Sequence, residues 1–277
     1  MGRQAKTQNI IDQAYEILKA FNPMTVRQVY YQLVSGQVIE NNRSAYQAVS
    51  NALVDARLES IIPWGWIEDR LRRPRKVSMW DDLADFAEAA RRSYKRDVWL
   101  TQPRYLEVWL EKDALSGIFE DVLSGYGVTL NVGRGYDGWS SIRNAAERYS
   151  NGEIVTVLYF GDFDPSGEDM VRSLRDRLAQ LDSHPHIVKL ALTREDIERH
   201  DLPPNFTKAT DSRRGAFVAI HGDVSVELDA LPPNVLQMQL RTEVERNMDM
   251  TAFAKVQEQE TQERTRLVKA LQTIGRK

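Results

Sequence analysis

The stretch from Val155 to Gly167, which reads VTVLYFGDFDPSG, is the part of this sequence that most constrains the fold. Six consecutive apolar or β-preferring residues lead into a glycine, two aspartates one residue apart, and a Pro-Ser-Gly turn. A strand without polar alternation is buried on both faces, as is a central strand of a parallel sheet covered by helices. The stretch therefore predicts an α/β fold with a parallel sheet.

Asp162 and Asp164 follow this strand, and Glu111 ends the earlier strand-like run YLEVWLE. The carboxyl ends of parallel strands meet at one edge of a sheet, where α/β proteins bind ligands, so we expect the three acids to converge. Carboxylates at this spacing repel each other unless a cation lies between them, and hard oxygen ligands suit Mg²⁺. We predict a magnesium site here. The plainer alternative is that the Asp-x-Asp pair only caps the following helix.

Strand-like and helix-like patterns alternate from Tyr105 onward, which is typical of a parallel sheet with crossover helices. The strands are predicted at 105–111, 128–135, 155–160 and 186–192. We place a boundary near 97–104, between an N-terminal domain of residues 1–100 and an α/β domain of residues 101–277. Towards the C-terminus we expect a short strand and turn in 224–233, followed by two helices.

The N-terminal part predicts helices followed by a turn-rich, β-prone segment. The helices are expected at 7–21, 26–34, 45–60 and 81–94. Thr25 and Ser44 are the predicted N-caps of the second and third helices. The segment 61–80 reads as a hairpin between the third and fourth helices. Three helices and a hairpin form the order of a winged helix-turn-helix, whose third helix enters the DNA major groove.

Basic residues and tryptophans are interleaved in this predicted hairpin. Its cations are Arg70, Arg72, Arg73, Arg75 and Lys76, with Trp64, Trp66 and Trp80 nearby. A protruding basic element suits contacts with DNA phosphates, although a solvated charged loop is the alternative. The charge is also uneven, with 16 basic and 12 acidic residues in 1–104 against 21 and 28 in 105–277. We therefore expect a polyanionic partner at the N-terminal half.

Arg27 and Tyr31 stand one helical turn apart in the second predicted helix. At about 100° per residue, Val29, Tyr30 and Leu33 share one face and Tyr31 points away from it. We therefore predict that Tyr30 is buried and that Tyr31 is exposed. Such a tyrosine is ordinarily a surface feature. Beside a bound phosphodiester, however, Arg27 stabilises the phosphate charge and favours attack by the phenolate.

The spacing of Gly133, Gly135 and Gly138 matches the dinucleotide-binding fingerprint. That fingerprint ordinarily follows the first strand of its sheet, whereas here it follows the second. A nucleotide site therefore remains one alternative. The other is a close turn from strand to helix beside a phosphate or a metal.

The composition narrows the class of protein. With 42% hydrophobic and 28% charged residues among 277, the chain is typical of soluble globular proteins. No apolar run reaches the length of a membrane span and the N-terminus lacks the apolar core of a secretion signal, so we expect a cytoplasmic protein with no membrane partner. The absence of cysteine excludes disulfides, thiolate zinc sites and a cysteine nucleophile.

Four motifs in this order resemble the family of the topoisomerase VI A subunit and the related meiotic double-strand-break protein. They are TVRQVYYQL, LEVWLEKDALSGIF, NVGRGYDG and YFGDFDPSG, between about residues 20 and 180. The resemblance implies a winged-helix domain carrying the nucleophile, which maps to Tyr31, and a Toprim metal domain. It also implies possible phosphate contacts from Lys112 and Arg134. The sequence departs from the family where Arg134 replaces the usual Lys and Asp137 the usual Pro.

The activity implied by the resemblance is Mg²⁺-dependent cleavage of double-stranded DNA by tyrosine transesterification. Glu111, Asp162 and Asp164 are expected to hold the metal and Arg27 to stabilise the phosphate. The resemblance further implies a homodimer whose sites each combine one protomer's tyrosine with its partner's metal cluster. Because the sequence contains no Gly-rich ATPase segment, ATP-driven strand passage requires a separate B-type subunit.

Two other functions remain open at this point. Toprim domains also occur in nucleases that hydrolyse DNA without a tyrosine, including one of a plasmid-defence system with a similar domain order. The chain is alternatively a winged-helix DNA-binding protein whose Toprim-like half is inert. Glu227 and Asp229 are acidic, and the sequence gives them no role.

Overall fold

Four parallel strands form the centre of the computed structural model, which describes residues 5–67, 77–133, 138–151, 154–204 and 211–274. The strands are β1 (Arg104–Leu110), β2 (Thr129–Val132), β3 (Ile154–Phe160) and β4 (His186–Ala191). Their order across the sheet is β2-β1-β3-β4, and every neighbouring pair is parallel. The predicted α/β class and its parallel sheet are confirmed.

The apolar run of β3 is buried on both faces, as predicted. Leu158 and Phe160 belong to one hydrophobic cluster, which also contains apolar residues of the N-terminal and C-terminal helices. Val157 and Tyr159 belong to a second cluster on the other face of the sheet. Alternate residues of a strand point to opposite faces, so both faces of the sheet are covered.

Helices precede, connect and follow the strands. Those before the sheet are α1 (Ala5–Phe21), α2 (Val26–Ser35), α3 (Arg43–Leu58) and α4 (Leu83–Ser93). Those between and just after the strands are α5 (Ser116–Leu123), α6 (Trp139–Arg148), α7 (Pro165–Ala179) and α8 (Arg194–Arg199). The last are α9 (Arg214–His221), α10 (Pro233–Arg246) and α11 (Met250–Ile274). Over the described ranges, no helix has the length and apolarity needed to cross a membrane.

The helix caps explain where α2 and α3 begin. Thr25 caps α2 as predicted, in a capping box with Gln28. The predicted cap Ser44 is wrong, because the Asn42 side chain accepts the hydrogen bond from Ala45 N at 2.9 Å. The Ser44 hydroxyl instead donates to Asn42 Oδ1. Asn caps a helix as well as Ser does, so α3 begins two residues earlier than expected.

Part of the predicted hairpin and part of the glycine turn lie outside the described residues, which exclude 68–76 and 134–137. The described portion of 61–80 contains a short 3₁₀ turn, Trp64–Trp66, and one parallel bridge between Ile67 and Met24.

Within the described residues, the strand predicted in 224–233 is limited to the bridge residues Ser225 and Val226, and Val226 forms an antiparallel bridge with Phe163. A 3₁₀ turn, Leu228–Ala230, follows it. Phe163 belongs to the loop after β3. This bridge brings the acidic sequence that follows Val226 to the carboxyl edge of the sheet.

Candidate functional site

Glu111 and Asp162 meet at the carboxyl edge of the sheet, as predicted. Glu111 follows β1 and Asp162 follows β3, and these two strands are paired up to Leu110 and Phe160. The Asp162 backbone N–H donates to Glu111 Oε2 at 3.0 Å. The two carboxylates therefore belong to one hydrogen-bonded corner of the sheet.

Asp164 has a structural role in the same loop. Its side chain caps α7, where Oδ1 accepts hydrogen bonds from Gly167 N at 2.7 Å and from the Ser166 hydroxyl at 2.8 Å. The capping alternative is therefore correct for one oxygen of Asp164. This bonding leaves its second oxygen with no donor among the described residues.

Burial is the main reason that the pKa of Glu111 is raised to about 7, and the negative charge of Asp162 adds to the effect. The backbone N–H of Asp162 and the ammonium of Lys112 oppose this rise. The Glu111 carboxylate is therefore crowded by negative charge at neutral pH. A cation at this edge favours its ionised form.

The described residues contain no group of three or more His, Asp or Glu side chains arranged to hold a metal ion by themselves. Glu111 Oε1 and Asp162 Oδ2 nevertheless have no hydrogen-bond donor within the described ranges. Mg²⁺ commonly uses one or two carboxylates and completes its octahedron with water and substrate phosphate. The carboxylate pair fits that mode of binding and does not fit an all-protein cage.

Two glycines allow the close packing of this corner. A Cβ on Gly161 would lie 2.6 Å from Glu111 Oε2, and a Cβ on Gly167 would lie 2.2 Å from the Asp162 carbonyl oxygen. At Gly167 the new Cβ would meet backbone, so the loop itself would have to shift, whereas at Gly161 it would meet only the side chains of Glu111 and Tyr159. Gly167 is therefore required by the backbone of the loop, and Gly161 allows the Glu111 and Tyr159 side chains to keep their observed positions.

Lys189 is a residue of this corner that sequence reasoning missed. Its ammonium donates to the Asp162 carbonyl oxygen at 2.8 Å and to Glu168 Oε1 at 2.7 Å. It stands in the middle of β4, and its only sequence signal was a lysine inside the apolar run HIVKLAL. Lys189 ties the loop after β3 to the neighbouring strand.

Lys112 lies among three carboxylates. Its Nζ is 2.9 Å from Asp162 Oδ1, 2.8 Å from Glu227 Oε2 and 2.7 Å from Asp229 Oδ2. Burial by itself lowers the pKa of Lys112, but the charges of Asp229 and Asp162 outweigh it and the pKa is raised. Lys112 is therefore a fixed cation between the sheet edge and the sequence that follows Val226.

Glu227 and Asp229 connect this edge to helix α2. Arg27 donates to Glu227, and Arg27 Nε lies 3.4 Å from Asp229 Oδ2. The Leu228 N–H also donates to Asp162 Oδ1 at 2.7 Å. The only sequence signal for these acids was a second acid-x-acid pair after a β-prone run.

The prediction that Tyr31 is exposed is wrong, since only 5% of the residue is accessible to solvent. The turn Leu228–Ala230 packs on α2 and covers the face that an isolated helix leaves open, with Gln32 donating to Ala230 O at 3.5 Å. Tyr30 is buried as predicted.

The two tyrosines differ at their hydroxyls. The Tyr30 hydroxyl donates to Asn41 Oδ1 at 2.9 Å. The Tyr31 hydroxyl has no hydrogen-bond partner among the described residues. Its oxygen is nevertheless not fully enclosed by the protein. The Tyr31 oxygen therefore reaches solvent although its ring is packed.

The opening beside Tyr31 is a cavity of about 350 Å³. It is lined by residues of α2, by residues of α3 and of the segment that leads into it, and by Glu227. The Arg27 guanidinium lies 5.9 Å from the centre of the Tyr31 ring. Burial raises the pKa of Tyr31, while the charges of Arg27 and Lys112 act in the opposite direction.

The remaining predicted site residues fall outside the part of the chain that the structure describes. They are Arg70, Arg72, Arg73, Arg75, Lys76 and Arg134. Their proposed contacts with DNA phosphates stay predictions. Comparison with known protein families and with curated proteins finds no match for this chain.

Proposed function

We propose that this protein is a Mg²⁺-dependent enzyme that cleaves double-stranded DNA by transesterification at Tyr31. The observation that carries the proposal is the position of Tyr31, whose hydroxyl has no partner among the described residues and which lies beside Arg27. It is also close to the carboxylate edge, by which we mean Glu111 and Asp162 at the carboxyl ends of β1 and β3. That cavity is joined to the edge through Glu227 and Lys112, which contacts Asp162. A nucleophile, two cations and metal-compatible oxygens thus belong to one polar network.

In the proposed reaction the Tyr31 oxygen attacks phosphorus, and the bond from phosphorus to the 3′ oxygen breaks. The product is a 5′-phosphotyrosyl bond, and the phenolic proton is transferred to the departing 3′ oxygen. Arg27 offsets the charge that develops on the phosphate. Glu111 and Asp162 are the residues that hold Mg²⁺, which when bound supplies Lewis-acid stabilisation of the phosphate oxygens.

The proposal includes a winged-helix N-terminal part joined to a Toprim-like sheet, and the described helices and parallel sheet support it. The predicted order of three helices is present, and the parallel sheet carries the acids at its carboxyl edge. A homodimer, and a separate ATPase subunit for strand passage, belong to the same proposal. The site itself is proposed within one chain, because Glu227 and Lys112 link the Tyr31 cavity to Asp162 of the same chain, in place of the expected pairing of one protomer's tyrosine with its partner's metal cluster. The predicted cytoplasmic location belongs to it as well.

A second candidate is a Toprim-like nuclease that hydrolyses DNA with water. The burial that raises the pKa of Tyr31 favours this alternative, because a neutral phenol is a weak nucleophile at pH 7. In that enzyme Glu111 and Asp162 still hold the metal and Lys112 still contacts Asp162, whereas Tyr31 only lines the cavity.

Cleavage of a labelled duplex with Mg²⁺ by two variants separates the candidates. Asp162→Ala is expected to abolish cleavage in both mechanisms. Tyr31→Phe is expected to abolish it, by at least about 10³-fold, only in transesterification. Tyr30→Phe is the matched control, because it removes a hydroxyl already bonded to Asn41 and leaves Tyr31 intact.

Cleavage by Tyr31→Phe at the wild-type rate rejects the tyrosine mechanism and leaves hydrolysis. Binding of DNA without any cleavage or Mg²⁺ binding by the wild-type protein identifies the non-catalytic DNA-binding alternative.

A further inference from the structure

Glu227 lies between the two cations that the proposed function assigns to a phosphate. Its Oε2 atom accepts a hydrogen bond from Arg27 and a second one from Lys112 Nζ at 2.8 Å. A guanidinium and an ammonium that converge on one oxygen anion form the arrangement that proteins use for carboxylate and phosphate alike. Arg27 and Lys112 therefore form a binding position for an anion, and Glu227 Oε2 of the same chain occupies it.

The two acids of this sequence differ in accessibility. The Glu227 side chain is 29% exposed and lines the cavity beside Tyr31, whereas that of Asp229 is fully buried. Asp229 keeps its contact with Lys112 whatever enters the cavity. Lys112 also retains Asp162, so loss of Glu227 leaves no uncompensated buried lysine.

The backbone around Glu227 is anchored on both sides. Val226 is bridged to Phe163, and Leu228 N–H is bonded to Asp162 Oδ1. A rotation of the Glu227 side chain towards solvent therefore opens one anion position on Arg27 and Lys112 while these backbone contacts stay in place. Both cations keep Asp229, and Lys112 keeps Asp162 as well. The Arg27–Glu227 pair is partly exposed, with 45% and 29% of the two side chains accessible, and ion pairs of this kind are weak enough to be exchanged for a doubly charged oxyanion or a polyanion.

We propose that Glu227 is an internal competitor that occupies the phosphate-binding position between Arg27 and Lys112, and that a DNA phosphate must displace it. This inference rests on the proposed function. In the enzyme without DNA, the Glu227 carboxylate thus offsets the charge of the two cations that bind phosphate. Duplex binding and displacement of Glu227 occur together.

Glu227→Gln tests the competition, because glutamine keeps the shape of the side chain and removes its charge. The probes are a fluorescent duplex, followed by anisotropy without divalent cations, and inorganic tripolyphosphate, followed by its effect on the melting temperature. Ionic strength and pH are held constant. We expect Glu227→Gln to bind both probes about fivefold more tightly than the wild type, the size typical of a partly exposed ion pair.

Glu168→Gln is the matched control. It removes one negative charge from the same end of the molecule, where Glu168 pairs with Lys189 and contacts neither Arg27 nor Lys112. We expect less than a twofold change in affinity for it. The double variant Arg27→Ala, Glu227→Gln is expected to lose the gain.

Equal or weaker binding of both probes by Glu227→Gln overturns the inference, as does an equal gain in Glu168→Gln. If only tripolyphosphate shows the gain and neither protein binds the duplex, the anion position stands and the proposed function fails. If the duplex is cleaved by Tyr31 but Glu227→Gln binds no better, the proposed function stands without the competitor.

Discussion

At the scale of single residues, the raised pKa of Glu111 reflects the burial and the negative charge of the carboxylate edge. Its folded pKa of about 7 lies above the ordinary value of 4.5, because the side chain is buried next to Asp162. Its contribution to stability is therefore fully present below about pH 4.5 and is lost as the pH rises to about 7. Above that range the fold carries a crowded carboxylate.

We expect Glu111→Gln to be more stable than the wild type at pH 8 and close to it at pH 4.5. The amide still accepts the Asp162 N–H and cannot ionise, so about 2 kcal/mol of repulsion and desolvation is removed at pH 8. Thermal unfolding of both proteins at the two pH values measures the difference. Mg²⁺ should raise the melting temperature of the wild type and not that of the variant.

Glu243→Gln serves as the control for this pH comparison, since Glu243 pairs with Arg246 on the α10 surface. A gain in stability for Glu111→Gln that is the same at both pH values contradicts the assignment.

At the scale of elements, the loop from β3 into α7 is the most tightly specified part of the site. Asp162 is held at its N–H by Glu111, at its carbonyl by Lys189 and at its side chain by Leu228 N–H. Gly167 completes the loop by letting the first turn of α7 contact the Asp162 carbonyl. The loop therefore positions Asp162 through backbone contacts.

Gly167→Ala is expected to destabilise the protein by about 1–3 kcal/mol, because the new Cβ forces the Asp162 carbonyl to move. It is also expected to weaken Mg²⁺-dependent activity at temperatures where the variant is folded. Gly215→Ala is the matched control, since Gly215 is also helical and its Cβ has open space. Chemical denaturation and cleavage assays measure the two effects. Equal, small effects in both variants contradict this account of the loop.

The sequence predicted those elements that are set by local patterns. β3 was recognisable from its unbroken apolar run, and α2 from Thr25 and its helical spacing. The convergence of Glu111 with Asp162 followed from the geometry of parallel strands. The burial of Tyr31 did not follow, because Leu228–Ala230, which covers α2, is about 200 residues away in sequence. The roles of Glu227 and Lys189 depend on the same kind of distant contact.

At the scale of the whole molecule, the C-terminal third joins the other parts. Leu228–Ala230 contacts α2, and Glu227 contacts cations from both halves of the chain. Further along, α11 packs against α4, and Arg96 pairs with Glu263 at 2.6 Å. The largest hydrophobic cluster likewise includes residues from the first helices to α11. The candidate site is therefore assembled by the complete fold.

The central claim is that Tyr31 forms a covalent bond with DNA, and the state of the DNA 5′ end after denaturation tests it most directly. A duplex labelled next to the cleavage point is incubated with protein and Mg²⁺, denatured with detergent, and resolved before and after protease treatment. We predict that labelled 5′ ends remain attached to protein through Tyr31 and that Tyr31→Phe gives no adduct. Cleaved DNA whose 5′ ends all carry a free phosphate contradicts the claim.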